Sequence, residues 1–302
     1  MTPVLRSTSA GEADLHPAEA TRLESLKGFD ILDTAPEEPF DRLTALAADL
    51  FDAPIALVSL VDAERQWFKS RIGLDVASTD RKLAFCAHAI LGGPDSVMVV
   101  QDATLDPRFR DNPLVTGPPD IRFYACALLS TPEGNNLGTL CVIDRKARDQ
   151  PSAAQLRTLA SLAGLAVNEL KLRRANRLAM ARQQLLELAE TMSGVGRWRL
   201  DLDTHRAIWS KATYAIYGLD RNDVVPTLDV VLGLCDGETR DRLRAELYSA
   251  IAGDGPFEFE YEFRRPDGER RRAWSKAVRE MDGSGRPVAL FGVIQDVTGA
   301  AK

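Results

Sequence analysis

The stretch "AFCAHAI" at residues 84–90 of the 302-residue chain sets one of four cysteines two positions from one of three histidines. A thiol and an imidazole that close together admit three chemistries: metal ligation, a nucleophile with its base, or packing in an apolar interior. On a helix, residues two apart point roughly 200° away from each other, so Cys86 and His88 cannot share one ion there. On a strand they would share a face. The flanking Leu83, Ala84, Ala87, Ala89, Ile90 and Leu91 favour a short helix ending on Gly92. A structural zinc centre needs four ligands, and only recruitment of both Cys126 and Cys141 would supply them. No third group that would orient a histidine base is evident. The stretch is therefore expected to form a pocket wall or part of a core, with no metal and no cofactor.

Strand alternation brings further side chains to the same question. In "RFYACALLS", Cys126 shares a face with Arg122, Tyr124 and Leu128; in "GTLCVID", Cys141 shares one with Thr139 and Ile143. "RQWFKS" places Trp67 and Lys69 on one face and Phe68 on the other. The candidate ligand-binding set of the first half is thus Trp67, Lys69, Cys86, His88, Arg122, Tyr124 and Cys126. Arg108 and Arg110 in "DPRFRDNPLV" can grip an anion through their forked donors, but a turn in which Asp106 caps backbone N–H groups is the preferred reading. In the second half, Trp209, Tyr214, Tyr217, Phe259, Tyr261, Trp274 and Phe291 can enclose a flat ligand, and serve equally well as a core. His205 falls in a hairpin turn, a poor place for a haem ligand.

These residues need elements to hold them. "PAEATRLESLKGFDIL" and "APEEPFDRLTALAADLF" carry apolar residues at helical spacing. Then the period shortens to two: "APIALVSLVD" and "RQWFKSRIG" read as a hairpin, and "VMVVQDA", "IRFYACALLS" and "LGTLCVIDR" as three more strands. From Ser152 to Met192 there is no proline and a single glycine, Gly164. The positions Leu156, Leu159, Ala163, Ala166, Leu170, Leu178, Leu185, Leu188 and Met192 follow the three-and-four steps of a coiled-coil seam, with a stutter near Arg174. A long helix pairing with its copy in a homodimer is expected. Beyond Gly194 the order β-β-α-α-β-β-β is legible, with "FEFEYEFRRPDGERRRAWSKAVREMD" as a hairpin turning on Pro-Asp-Gly. The divisions are 1–16 flexible N-terminus, 17–151 first domain, 152–192 linker helix, 193–298 second domain and 299–302 tail.

The residues now on the page carry two resemblances. From "ILDTAPEEPFDRLTALAADLFDAPIALVSLVD" through "RQWFKSRIGL", "FCAHAIL", "DPRFRDNPLVTGPPDIRFYA" and "GTLCVIDR", roughly residues 20–170, the chain resembles a bacterial sensory GAF domain. Residues 190–298, with "WS...Y.IYGL", "RRPDGERR.W" and "GVIQDVT", resemble a PAS domain; "CDGETR" stands where that subtype usually has a His-Pro-Asp-Asp run. The resemblance implies an α+β fold: two antiparallel-sheet sensory domains, GAF then PAS, joined by a long coiled-coil signalling helix.

Composition and missing motifs bound the function. Apolar content of 45%, charged content of 27% and a net charge of −6 describe a globular chain with no basic field for nucleic acid or anionic lipid. No apolar run reaches membrane-spanning length and no signal peptide opens the chain, so a cytoplasmic location is expected, with neither membrane nor nucleic acid as partner. Neither nucleotide-binding glycine fingerprint, nor a kinase region, nor a GGDEF-like or EAL-like segment is found. The expected function is that of a sensor or adaptor without catalysis, not an enzyme. It would relay a small-molecule or partner-binding signal to a signalling protein such as a histidine kinase, response regulator or cyclase. Two alternatives stay open: the sensory portion of a histidine kinase or diguanylate cyclase, and a thiol-based redox enzyme in the first domain.

Overall fold

Acids in the first turn and Pro39 beside them start the second helix, and a left-handed Asp52 (φ 47°) ends it, its N–H reaching back to the Ala48 and Asp49 carbonyls. The computed structural model describes residues 17–93, 96–253 and 257–299, so the expected flexible N-terminus and residues 300–302 of the tail fall outside the described residues. The chain divides into two units, Met1–Arg177 and Leu178–Lys302. Both are α+β, each built on one antiparallel sheet, and a long helix, Ala153–Ser193, lies between the sheets in sequence.

In the first unit, helices α1 (Pro17–Phe29) and α2 (Glu38–Phe51) precede strands β1 (Ile55–Val61), β2 (Arg65–Ile72) and β3 (Ser78–Asp80). Helix α3 (Phe85–Ala89), β4 (Val97–Val100), α4 (Pro113–Thr116), β5 (Phe123–Ser130) and β6 (Asn136–Asp144) follow. The strand order is β3-β2-β1-β6-β5-β4, with every neighbouring pair antiparallel. β3 is an edge strand too short and polar to show an apolar period, which is why the sequence does not announce it.

The central strands are buried on both faces. Ala56, Val58 and Leu60 of β1, Ala125, Ala127 and Leu129 of β5, and Leu140 and Val142 of β6 meet α1 and α2 in one core. The alternate positions, Leu57, Val61, Tyr124, Cys126, Cys141 and Ile143, face the other way into a second core with Phe85 and Cys86 of α3. β1 and β6 approach so closely that a side chain on Gly138 would meet the Ser59 carbonyl at 2.0 Å.

The long helix, α5 (Ala153–Ser193), opens with a reciprocal cap. Ser152 Oγ accepts the Gln155 N–H at 3.2 Å, while Gln155 Oε1 accepts the Ser152 N–H at 3.0 Å. Its first half is a wall of the first unit's core: Leu159, Leu162, Ala163, Ala166, Val167 and Leu170 are buried there, and Leu156 packs at its edge. This corrects the expected dimer seam for Leu156, Leu159, Ala163, Ala166 and Leu170. A stripe at three-and-four spacing fits a sheet as well as a partner helix, and here the chain's own sheet takes it. The later seam residues Leu178, Leu185, Leu188 and Met192 are 54%, 67%, 57% and 81% exposed.

The second unit contains β7 (Val195–Asp201), β8 (Ala207–Trp209), α6 (Lys211–Tyr217), α7 (Leu228–Leu234), α8 (Gly237–Ala252), β9 (Phe257–Arg264), β10 (Arg270–Met281) and β11 (Pro287–Asp296). The order is β8-β7-β11-β10-β9, antiparallel throughout. Each helix start is marked: Ser210, Thr227 and Asp236 accept the N–H groups of Thr213, Val230 and Thr239. Asp236, within "CDGETR", thus caps α8. Helix α7 was not foreseen, because a short run such as "LDVVLGL" shows no period that tells helix from strand. Among the described residues, no helix is long and apolar enough to cross a membrane.

Candidate functional site

α3 lays Cys86 against the sheet, and four polar side chains from four different strands converge on its sulfur. Ser59 Oγ of β1 lies 3.0 Å from Cys86 Sγ, Tyr124 OH of β5 3.1 Å and Thr139 Oγ1 of β6 2.9 Å. Gln66 of β2 donates its Nε2–H at 3.1 Å. All five residues are buried, and Cys141, two residues along β6 from Thr139, lies in the same core. Burial pushes the Cys86 thiol up, but the bonds from Cys141, Ser59, Thr139 and Tyr124 outweigh it and bring the group down from 9.0 to about 7.

The other two thiols move the opposite way. The bond to Cys86 and then burial hold Cys141 well above its ordinary value. Burial, and then the charge that would sit on Cys86, push Cys126 to about 12. Cys126 and Cys141 face each other directly across the β5–β6 pair. The site therefore concentrates thiolate character on one sulfur with a neutral thiol beside it.

Seven residues were expected to line a pocket in this unit. The structure brings together Cys86, Tyr124 and Cys126 and separates the rest. His88 is on the outer side of α3, exposed and edge-on to Phe109 at 4.9 Å, so it does not meet Cys86. Burial, then the Arg108 charge, lower the His88 imidazole, against a smaller upward pull from Asp106. It borders an open cleft of about 580 Å³ with Glu64, Asp80, Arg81 and Lys82.

Trp67 and Lys69 belong to the helix-side face and are corrected from pocket to structure. Trp67 is core. The fully buried Lys69 side chain donates to Thr34 Oγ1 at 2.9 Å, the Ala35 carbonyl at 2.7 Å and Glu37 Oε1 at 2.7 Å. Glu37 also accepts from Arg173 of α5 at 2.9 Å; burial raises its carboxyl, but Lys69 and Arg173 pull it below the ordinary range. Arg122 holds the Val115 and Ile121 carbonyls at 2.8 and 3.1 Å. The space expected to be a pocket is packed by Phe85, stacked on Phe109 at 4.0 Å and tilted against Tyr124 at 5.1 Å.

The residues that sequence reading missed are Ser59, Gln66 and Thr139. Ser59 and Thr139 had a signal, each a polar residue on the inward face of a mostly apolar strand, whereas Gln66 sits in the largely polar β2 and had none. Arg108 folds back on Asp106, donating Nη2 at 2.7 Å and its backbone N–H at 2.9 Å, as the capped-turn reading expects. Among the described residues, no group of three or more His, Cys, Asp or Glu side chains is placed to hold a metal ion.

In the second unit, Tyr217, Phe259 and Tyr261 are core, with the two tyrosine hydroxyls 2.5 Å apart. Trp209 tilts against Tyr217 at 5.0 Å and meets Tyr214 edge-on at 5.1 Å. An inner cavity of about 50 Å³ touches Trp198, Trp209, Tyr217, Tyr261 and Ser275. That is the space of one or two waters, against several hundred Å³ for ordinary small-molecule sites. Trp274 and Phe291 are corrected: both lie on the sheet's outer face, Trp274 donating Nε1–H to Glu258 at 3.3 Å and Phe291 42% exposed. Strand alternation assigns them there, since Ala273, Ser275, Leu290 and Ile294 turn inward. An outer cleft of about 590 Å³ runs past Trp209, Tyr214, Arg197, Lys211, Arg221 and Phe291.

Comparison with known proteins matches these two folds to families. The model of the GAF domain matches residues 35–170, and that of the PAS fold matches residues 206–294. A Pseudomonas aeruginosa protein named a cyclic di-GMP phosphodiesterase is 39% identical over 245 residues, covering 76% of this chain. The chain spans 38% of that relative's length. Among solved structures, a sensory box histidine kinase/response regulator from Burkholderia thailandensis aligns at 22% identity over 37% of this chain and 84% of its own, with a TM-score of 0.33. A type II free methionine-R-sulfoxide reductase from Thermoplasma acidophilum aligns at 13% identity over 44% of this chain and 92% of its own, with a TM-score of 0.35.

The chain therefore carries a GAF domain followed by a PAS domain, a sensor architecture whose modules typically relay to output domains. The expectation of a protein that is not an enzyme is corrected by the Pseudomonas relative, which is named as one. That expectation rested on missing catalytic motifs, and the absence of a motif does not establish the absence of an activity.

Proposed function

We propose that this chain is the sensory part of a signalling enzyme that hydrolyses cyclic di-GMP. Its GAF and PAS domains read the stimulus, and α5 pairs with its copy in a homodimer to carry the response. The observation that carries this reading is the 39% identity to the phosphodiesterase over 76% of the chain, a span long enough to cross the joining helix and reach into both sensory domains. The exposed apolar side chains Leu178, Leu185, Leu188 and Met192 support the pairing, because a row of large apolar residues on one helix favours burial against another.

A chimera provides the test. This chain replaces the matching segment of the Pseudomonas phosphodiesterase, and hydrolysis of cyclic di-GMP is followed by chromatography of the linear product. The expected result is a turnover that changes when Leu185 and Leu188 become glutamate, with KM unaltered. A rate indifferent both to those substitutions and to removal of the chain would defeat the reading.

A further inference from the structure

We propose that Cys86 is a redox modification site: a small hydroperoxide oxidises it, and Cys141 closes it as a disulfide. The inference is independent of the function proposed above and rests on the cluster of groups under α3. Four side chains bond one sulfur, three through hydroxyl groups and one through the Gln66 amide. Packing alone does not call for this, since a buried cysteine fills space as a small hydrophobe. So many donors stabilise a negative sulfur, the nucleophilic form of the group. Its thiol sits near 7, so much of it is thiolate at neutral pH.

The partner is Cys141 rather than Cys126. Cys141 is two residues along β6 from Thr139 and on the same face, and the short Thr139 side chain already reaches Cys86 Sγ at 2.9 Å, whereas the strand that carries Cys126 reaches it only through the long Tyr124 side chain. The steps balance. The Cys86 thiolate attacks the terminal oxygen of ROOH, the O–O bond breaks, and the departing RO⁻ takes the proton Cys86 gave up, leaving ROH and a sulfenic acid. The Cys141 sulfur then attacks Cys86, the S–O bond breaks, and hydroxide leaves with the Cys141 proton as water. Two thiols and one hydroperoxide become a disulfide, an alcohol and water; for hydrogen peroxide, a disulfide and two waters.

Access is through the cover. α3 is a single turn whose first residue is preceded by Ala84, which offers no side-chain cap. Its flanks are held by three amide bonds: Asn112 to the Leu83 carbonyl, and Asn136 to the Ile90 and Gly92 carbonyls, each at 2.9 Å. Opening must release those bonds and lift Phe85 off Phe109 and Tyr124, and a molecule of two heavy atoms needs only a brief opening of this one turn.

The experiment treats the full chain with equimolar hydrogen peroxide at neutral pH, blocks the remaining thiols and maps the peptides. Trypsin leaves Cys126 and Cys141 on one fragment, so a glutamate-specific protease is added to cut between them at Glu133. The expected result is a Cys86–Cys141 linked pair that dithiothreitol reverses. In Cys141→Ser the same treatment should leave a sulfenic acid on Cys86 that dimedone traps. Thr139→Val, which removes one donor and keeps the shape, should slow oxidation about fivefold at pH 7 if it raises the thiol by about one unit. An unmodified Cys86, a link made through Cys126, or equal disulfide yield in Cys141→Ser each overturns the proposal.

Discussion

At the scale of single residues, the first unit stakes its buried polarity on two points, and each has a signed consequence. The Cys86 thiol is lower in the folded chain than its ordinary 9.0. A group depressed on folding adds stability that is fully present above its unfolded value and fades as pH falls through its folded one. Taken alone, Cys86 should therefore raise the unfolding free energy between about pH 7 and pH 9 by on the order of 2 kcal/mol. Cys126, Cys141 and Cys235 keep their protons longer in the folded chain than in the unfolded one, so the net rise should be smaller and turn over before about pH 9. Urea melts across that range check it: Cys86→Ser should flatten the rise, and a wild-type curve already flat would dismiss it. The second point is Lys69. Glu37→Gln leaves its buried ammonium without a counter-charge and should cost about 2 kcal/mol, less than a fully enclosed pair because Glu37 is partly exposed. A loss within error would mean that Thr34 and Ala35 alone satisfy the lysine. Spacing and alternation singled out Cys86 and Tyr124 but hid Lys69's role. Alternation says which face of a strand a residue occupies, not which of two buried faces holds an opening, and here neither does.

At the scale of elements, α5 is a core wall over its first half and, in the proposed function, a pairing surface over its second, and its periodicity does not separate the two. Leu159→Ala should destabilise the chain by about 3 kcal/mol, because it opens a cavity in a finished core, and should leave the assembly mass unchanged. Replacing Leu185 and Leu188 by glutamate should do the reverse, halving the mass in light scattering with little change in melting. A dimer that survives the glutamates removes the pairing assigned to this face. Most of the fold was legible because strands and caps carry local signals: the hairpins, the Ser210 and Asp236 starts, the glycine stops. What escaped were β3, too short to show a period, α7, too apolar to show one, and the division of α5. Only tertiary packing decides which partner a leucine stripe meets.

For the molecule as a whole, the proposed function makes the GAF and PAS domains the inputs of an enzyme, and the measure of an input is what it does to a rate elsewhere. The manner in which the Cys86 site is assembled has a consequence for biosynthesis. Its contributors come from β1, β2, α3, β5 and β6, and the central pairing joins β1 to β6 across most of the domain sequence. As the chain leaves the ribosome, Cys86 emerges well before Thr139 and Cys141. Until they follow, it is an ordinary cysteine, protonated at neutral pH and slow to react. Reactivity arrives with the last strand, so a nascent or half-degraded domain is deaf to oxidant and only a finished one can respond.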